Sequence, residues 1–208
     1  MITSKIAPFI KYNSTLENTT DCLIYEIIDK KPLYFKGYQD VISGEKKVGE
    51  ITASNMLRSY ILTNFTAKIF NSLADDLFTI LTNTNLYLDK SNNLVGDILI
   101  FDNDVLKSES IDEHYADVPP KIAIEVDVTA DTSDIGGVDT YVYKKVRKLL
   151  DFGVERVIWI NTATKTILMA DDNLESWIVQ DWNKDIEILK GLIINIPAFL
   201  LKKKIVVK

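Results

Sequence analysis

The spacing of apolar residues changes period several times along this chain, and each change marks an element. CLIYEII (22–28), then DKKP, then LYF (33–35) read as strand, turn and strand, a small N-terminal β-hairpin over about 22–36. From Thr52 to Leu73, Leu57, Tyr60, Ile61, Phe65, Ile69 and Leu73 recur at helical spacing and predict one long amphipathic helix. NLYLDK (85–90) and LVGDILIFD (94–102), parted by SNN, predict a second hairpin. An acidic loop over 102–118 leads through Pro119-Pro120 into KIAIEVDV (121–128). In that strand alternation sends Ile122, Ile124, Val126 and Val128 to one face, and Ala123, Glu125 and Asp127 to the other. A polar loop (129–139) precedes TYVYKKVRKLLDF (140–152), a helix ending at Gly153. RVIWIN, TKTILMA and SWIVQ read as strands, and the tail GLIINIPAFLLKKKIVVK alternates apolar blocks with lysines.

Helix, hairpin, strand, helix, strand is an α/β order in which the last two strands pair through a helical crossover. The expected layout is one domain over 1–208: the hairpin, a core over about 50–161, and a C-terminal β extension over about 165–208. A chain of 208 residues, 47% hydrophobic, is long enough to bury a core of that size.

Charge and rare residues narrow the chemistry. The net charge of −6 gives no general attraction to nucleic acid, so such a role needs a local basic patch. Lys202, Lys203 and Lys204 form a compact run, and Lys144, Arg147, Lys148 and Arg156 a looser one; solvated faces are the default reading of both. With Cys22 the single cysteine and His114 the single histidine, disulfides, cysteine zinc sites and multi-histidine metal sites are excluded. No apolar run of about 18 residues occurs, and MITSKIAPFI lacks a signal-peptide core. The expectation is a soluble, cytoplasmic protein with no membrane partner. Asp102, Asn103 and Asp104 alternate oxygen ligands, but without the glycine and distant glutamate of a calcium loop. Trp159 reads as core; Trp177 and Trp182 fit core, a dimer surface or a stacking platform, in that order.

Two anomalies remain. At 100° per residue, Val138, Val142, Leu149 and Phe152 lie within about 60° of Lys145, so this lysine projects from the apolar face of its helix. An inward ammonium requires an anionic partner or a wet cleft, and the preceding strand offers Glu125 and Asp127. Asp97 likewise interrupts an apolar strand. Carboxylates on neighbouring strands can hold Mg²⁺, and a lysine beside them can orient water or stabilise an oxyanion. Acids in strands are otherwise edge residues or ion-pair partners.

GDILIFD, PPKIAIEV, a polar loop and YKKVRKLLDFGVERVIWIN, in this order and spacing, resemble the Uma-type restriction endonuclease family of the PD-(D/E)XK nuclease superfamily. YEIIDKKPLYF is similar to the family's opening hairpin, and the resemblance spans roughly 22–200. It implies a restriction-endonuclease-like core, a mixed central sheet flanked by helices with an added N-terminal β-hairpin. It also implies Mg²⁺ (or Mn²⁺) as cofactor and DNA as substrate, hence a metal-dependent DNA endonuclease, with a homodimer as one option. Asp97 falls on the motif's first acid, Glu125 on its second and Lys145 on its lysine, with Lys144 as fallback. Glu26 and Glu50 are candidates for an extra acid of the superfamily.

The chain departs from the pattern at three places. Gly96 replaces the motif's proline, and VTADTSD replaces the usual Ser-Pro-Ser-Thr loop. Asp127 stands where the wider superfamily keeps its lysine, as a third metal ligand or as an ion-pair partner of Lys145. The rival reading is a catalytically silent relative, a DNA-binding or oligomeric scaffold in which Lys145 pairs directly with Glu125 or Asp127.

Overall fold

The computed structural model describes residues 18–73, 77–172 and 176–205; the opening MITSKIAPFI lies outside them. The first strands are β1 (Ile24–Ile28) and β2 (Lys31–Tyr34), joined by Asp29 and Lys30, both in the left-handed region that a tight two-residue hairpin turn needs. Then come β3 (Phe78–Asp89), β4 (Asn92–Asp102), β5 (Ile122–Val126), β6 (Arg156–Asn161), β7 (Thr166–Asp171) and β8 (Ile178–Asp181). These eight form one sheet in the order β2-β1-β4-β5-β6-β7-β8, with β3 paired to β4. Only β5 and β6 run parallel, through a crossover helix over Val138–Phe152.

Burial splits along the strands by alternation. Leu99, Phe101, Ala123, Val157 and Trp159 face one core, with Tyr141, Val146 and Leu149 packed in the same cluster. Ile98, Ile100, Ile122, Ile124, Ile158 and Ile160 face a second, which includes Ile61, Phe65, Ile69 and Leu200. Among the described residues the helices are α1 (Asn18–Asp21), α2 (Tyr38–Ile42), α3 (Val48–Thr52), α4 (Met56–Phe70), α5 (Val138–Phe152) and α6 (Ile196–Leu201). A two-stranded sheet of β9 (Ile186–Leu189) and β10 (Leu192–Ile194) adds to the second core.

Four expectations need correction. The long helix expected from Thr52 starts at Met56: Thr52 ends the short α3, Ala53 is extended, and Asn55 caps α4 by accepting from the Arg58 N–H at 2.9 Å. The first strand of the second hairpin starts at Phe78 rather than Asn85. The C-terminal extension is not all β, because Asn195 caps α6 and Pro197 sits in its first turn. Finally, β5 stops at Val126 because Asp127 adopts φ 60°, and Val128 consequently packs with the core opposite to that of Ile122, Ile124 and Val126.

β4 positions the site. One of its edges pairs with β3 from Phe78 to Asp89. Its other edge is shared: β1 meets it at Asn93, while β5 meets it at Ile98–Ile100. Between those contacts the sheet forks, and Val95, Gly96 and Asp97 lie at the fork.

Candidate active site

Strand pairing lapses at the fork, so backbone groups there require side-chain partners. Val95 donates its N–H to Glu26 Oε2 at 3.2 Å, and its carbonyl accepts from Lys145 Nζ at 2.7 Å. Lys145 Nζ also lies 3.2 Å from Glu26 Oε2 and 3.3 Å from Glu125 Oε2. The ammonium's three N–H groups thus face three oxygens, one each from β1, β4 and β5. Tyr25, Tyr141 and Trp159 surround it with ring centroids 5.7, 5.9 and 5.6 Å away. All of this is sealed from solvent: Glu26 and Glu125 are 2% exposed and Lys145 is 1% exposed.

Asp97 completes the set from β4. Its Oδ2 accepts from the Val126 N–H at 2.8 Å, and its Oδ1 accepts from Arg58 Nη2. Arg58 also donates from Nε to the Val126 carbonyl at 2.7 Å and from Nη1 to Ser54 Oγ at 2.6 Å. Three acids therefore meet two cations at one point.

Burial pushes the Glu125 carboxyl up to about 8, with Lys145 opposing and the Asp97 and Glu26 charges adding to the rise. Burial alone would lower the Lys145 pKa; Glu125 and Glu26 override it and hold the ammonium well above its ordinary value. Lys145 is thus a fixed positive charge near neutral pH. Burial also raises the phenols of Tyr25 and Tyr141, so both stay protonated.

A cleft of about 700 Å³ opens onto this cluster between α4, β3 and the N-terminal hairpin. Seven hydroxyl residues (Thr52, Ser54, Ser59, Thr63, Thr66, Thr82 and Thr129) line it. Arg58 and Asp97 are its charged lining residues, and Glu26, Glu125 and Lys145 lie behind them.

Of the residues singled out from sequence, Asp97, Glu125, Lys145 and Glu26 come together. Glu26 arrives from a strand rather than a helix. Glu50 does not join them: it is exposed and accepts from the Lys47 N–H at 2.7 Å at the start of α3. Lys144 instead faces Asp29 at 3.4 Å. Asp127 is turned away by its positive φ; its carboxylate accepts from the Thr162 N–H at 2.7 Å and from the Thr162 hydroxyl at 2.8 Å. It neither neighbours Glu125 nor pairs with Lys145. Sequence reasoning passed over Arg58, although a basic residue in the first turn of a helix opposes the macrodipole and marks a demand from elsewhere.

Among the described residues no group of three or more His, Cys, Asp or Glu side chains is arranged to hold a metal. The donor set nevertheless suits a hard divalent cation when a main-chain oxygen is included: Asp97, Glu125 and the Val126 carbonyl are all oxygen donors. Glu125 Oε1 is buried without a hydrogen-bond partner, as is Glu26 Oε1. A cation would satisfy such an oxygen.

No protein-family model and no curated protein matches the chain. Among solved structures, the crystal structure of a candidate nuclease of DUF820 from Anabaena variabilis is similar, with a TM-score of 0.57 and 14% identity. The alignment covers 80% of this chain and 82% of that one, so the two share a fold, a mixed sheet with flanking helices.

Proposed function

We propose that this protein is a Mg²⁺- or Mn²⁺-dependent nuclease acting on DNA, with Asp97, Glu125, Glu26 and Lys145 as its working groups. The observation that carries this reading is Lys145, buried between Glu26 and Glu125 beside a third acid at a break in the sheet. An apolar core there would cost the fold less, and costly clusters of this kind concentrate at functional sites.

Asp97 and Glu125 would hold the ion, with the Val126 carbonyl beside them. When bound, such an ion lowers the pKa of its water and offsets charge at phosphorus. Glu26 restrains the Lys145 ammonium by ion pairing, with Val95 fixing its height above the sheet. Lys145 keeps its proton, and its three N–H groups stay with Val95, Glu26 and Glu125, so it serves as a fixed positive charge behind the acids, not as a base. Asp127 has no part in this scheme.

The test is nicking of supercoiled plasmid with Mn²⁺ or Mg²⁺ by the wild type and by Asp97→Asn, Glu125→Gln and Lys145→Met. Each substitution is expected to lower the rate by roughly a hundredfold or more. Wild-type nicking by a folded Lys145→Met or Glu125→Gln protein would remove those roles.

A second reading, a catalytically silent scaffold, is favoured by the direct Lys145–Glu125 ion pair and by Arg58 on Asp97. It predicts that the wild type binds no Mn²⁺ at millimolar concentration. Saturable Mn²⁺ binding that Asp97→Asn weakens excludes it.

A further inference from the structure

Arg58 is the one member of the cluster that sequence reasoning did not anticipate. Its guanidinium bridges two hard oxygens, Asp97 Oδ1 and the Val126 carbonyl. The other Asp97 oxygen is held by a backbone N–H, which cannot move without unpicking the end of β5. Any cation that takes Asp97 as a ligand therefore competes with Arg58 first. A guanidinium and a divalent ion on these same oxygens repel one another, so the ion binds more tightly once the guanidinium has left.

Arg58 can leave. Its side chain is 13% exposed, it stands in the cleft wall, and it is already anchored at Ser54 Oγ. What would draw it out is an anion in the cleft. No other cationic side chain lines the cleft among the described residues, and the surrounding wall is hydroxyl-rich. A phosphodiester oxygen there finds in Arg58 a planar, two-pronged donor.

Resting on the metal-dependent reading above, we propose that Arg58 holds the cation place of this site in the free protein and is drawn from it by a substrate phosphate. Metal and phosphodiester then bind with positive coupling, each lowering the resistance to the other. Arg58 is in this sense a positioning residue: it keeps Asp97 ordered at rest and reports substrate to the metal site.

The experiment measures Mn²⁺ affinity by titration calorimetry, with and without dimethyl phosphate as a phosphodiester probe, on wild type, Arg58→Met and Arg58→Lys. Folding of each variant is checked by circular dichroism. Arg58→Met is expected to bind Mn²⁺ about tenfold more tightly than wild type or better. Dimethyl phosphate should tighten Mn²⁺ binding to wild type and leave Arg58→Met unaffected. A folded Arg58→Met protein with equal or weaker Mn²⁺ affinity overturns the proposal, because a merely structural arginine loosens Asp97 when removed. Should Arg58→Met fail to fold, Arg58→Lys decides: a compact ammonium cannot fork onto both oxygens, so tighter binding than wild type supports the proposal and equal binding overturns it. Absence of Mn²⁺ binding in every protein, wild type included, overturns the metal-dependent reading itself.

Discussion

At the scale of one residue, Lys145 decides how the site is held together. It is buried with full hydrogen-bond satisfaction: a carbonyl, two carboxylate oxygens and three aromatic rings surround its ammonium. Removing it leaves the Val95 carbonyl unpaired and leaves the buried Glu26 and Glu125 carboxyl groups without the cation that offsets their burial. Lys145→Met should therefore destabilise the protein by about 3–5 kcal/mol, read as a shift in the urea midpoint. Adding Glu125→Gln to Lys145→Met should recover part of that loss, since the second change removes one buried acid whose desolvation no cation then offsets. Additive losses in the double variant would show that the ion pair is not what holds the cluster. Gly96 has a packing reason. A Cβ there would overlap Leu99, reaching its Cγ at 2.7 Å, and Leu99 is fully buried. Gly96→Ala is expected to cost roughly 1–3 kcal/mol by overpacking, and thermal unfolding checks it.

At the scale of elements, the N-terminal hairpin matters because it delivers Glu26. Besides the sheet, a charged contact ties it to α5: Asp29, in the β1–β2 turn, meets Lys148 at 2.6 Å and Lys144 at 3.4 Å. The hydrogen bond from Lys148 is the main cause that lowers the Asp29 carboxyl below its ordinary range. A depressed carboxylate contributes stability above its unfolded pKa and loses it as pH falls through the folded one. Asp29→Asn keeps a residue tolerant of the left-handed conformation, so it should cost at most about 1 kcal/mol at pH 7, given its exposure to solvent. That difference should shrink as urea titrations move from pH 5 toward pH 3; a pH-independent loss would point to the turn instead.

The same scale shows what was legible in the sequence. Strand alternation and the helical arc around Lys145 placed β5, α5 and β6 and brought Glu125 and Lys145 face to face. Of the four apolar residues of that arc, Val138 proved exposed, yet the side on which Lys145 lies was read correctly. Alternation failed at Asp127, because pattern rules assume the strand continues and carry no sign of a single left-handed residue. Asn55 is a favoured cap residue, yet the apolar period running across it shows no sign of where the helix starts. The fork in the sheet, which unites β1, β4 and β5, is a long-range pairing that local sequence does not encode.

For the whole molecule, the question is how a chain of net charge −6 could hold a polyanion. Several of its basic residues are already committed. Lys144 and Lys148 face Asp29, Arg156 pairs with Asp171, and Lys121 pairs with Asp102 and Glu155. The looser basic run foreseen over Lys144, Arg147, Lys148 and Arg156 is thus partly neutralised, with Asp29 shared by Lys144 and Lys148 and Asp171 on Arg156, and the cleft offers Arg58. The compact run Lys202–Lys204 is exposed in the turn after α6. Affinity for nucleic acid held in the cleft would rest on few phosphate contacts, and its salt dependence is a direct count of them. With one or two contacts to a single strand, log K against log salt should have a slope of about −0.7 to −1.4. The measurement is fluorescence anisotropy of a labelled oligonucleotide with wild type and with Lys202, Lys203 and Lys204 all changed to alanine. Equal shallow slopes in the two proteins place the contacts in the cleft. A slope steeper by about 2 in wild type, abolished in the triple variant, would place the nucleic acid on the C-terminal turn instead. Because Arg58 is the cleft's cation, Arg58→Met should flatten the wild-type slope by about 0.7 in the first case and leave it untouched in the second.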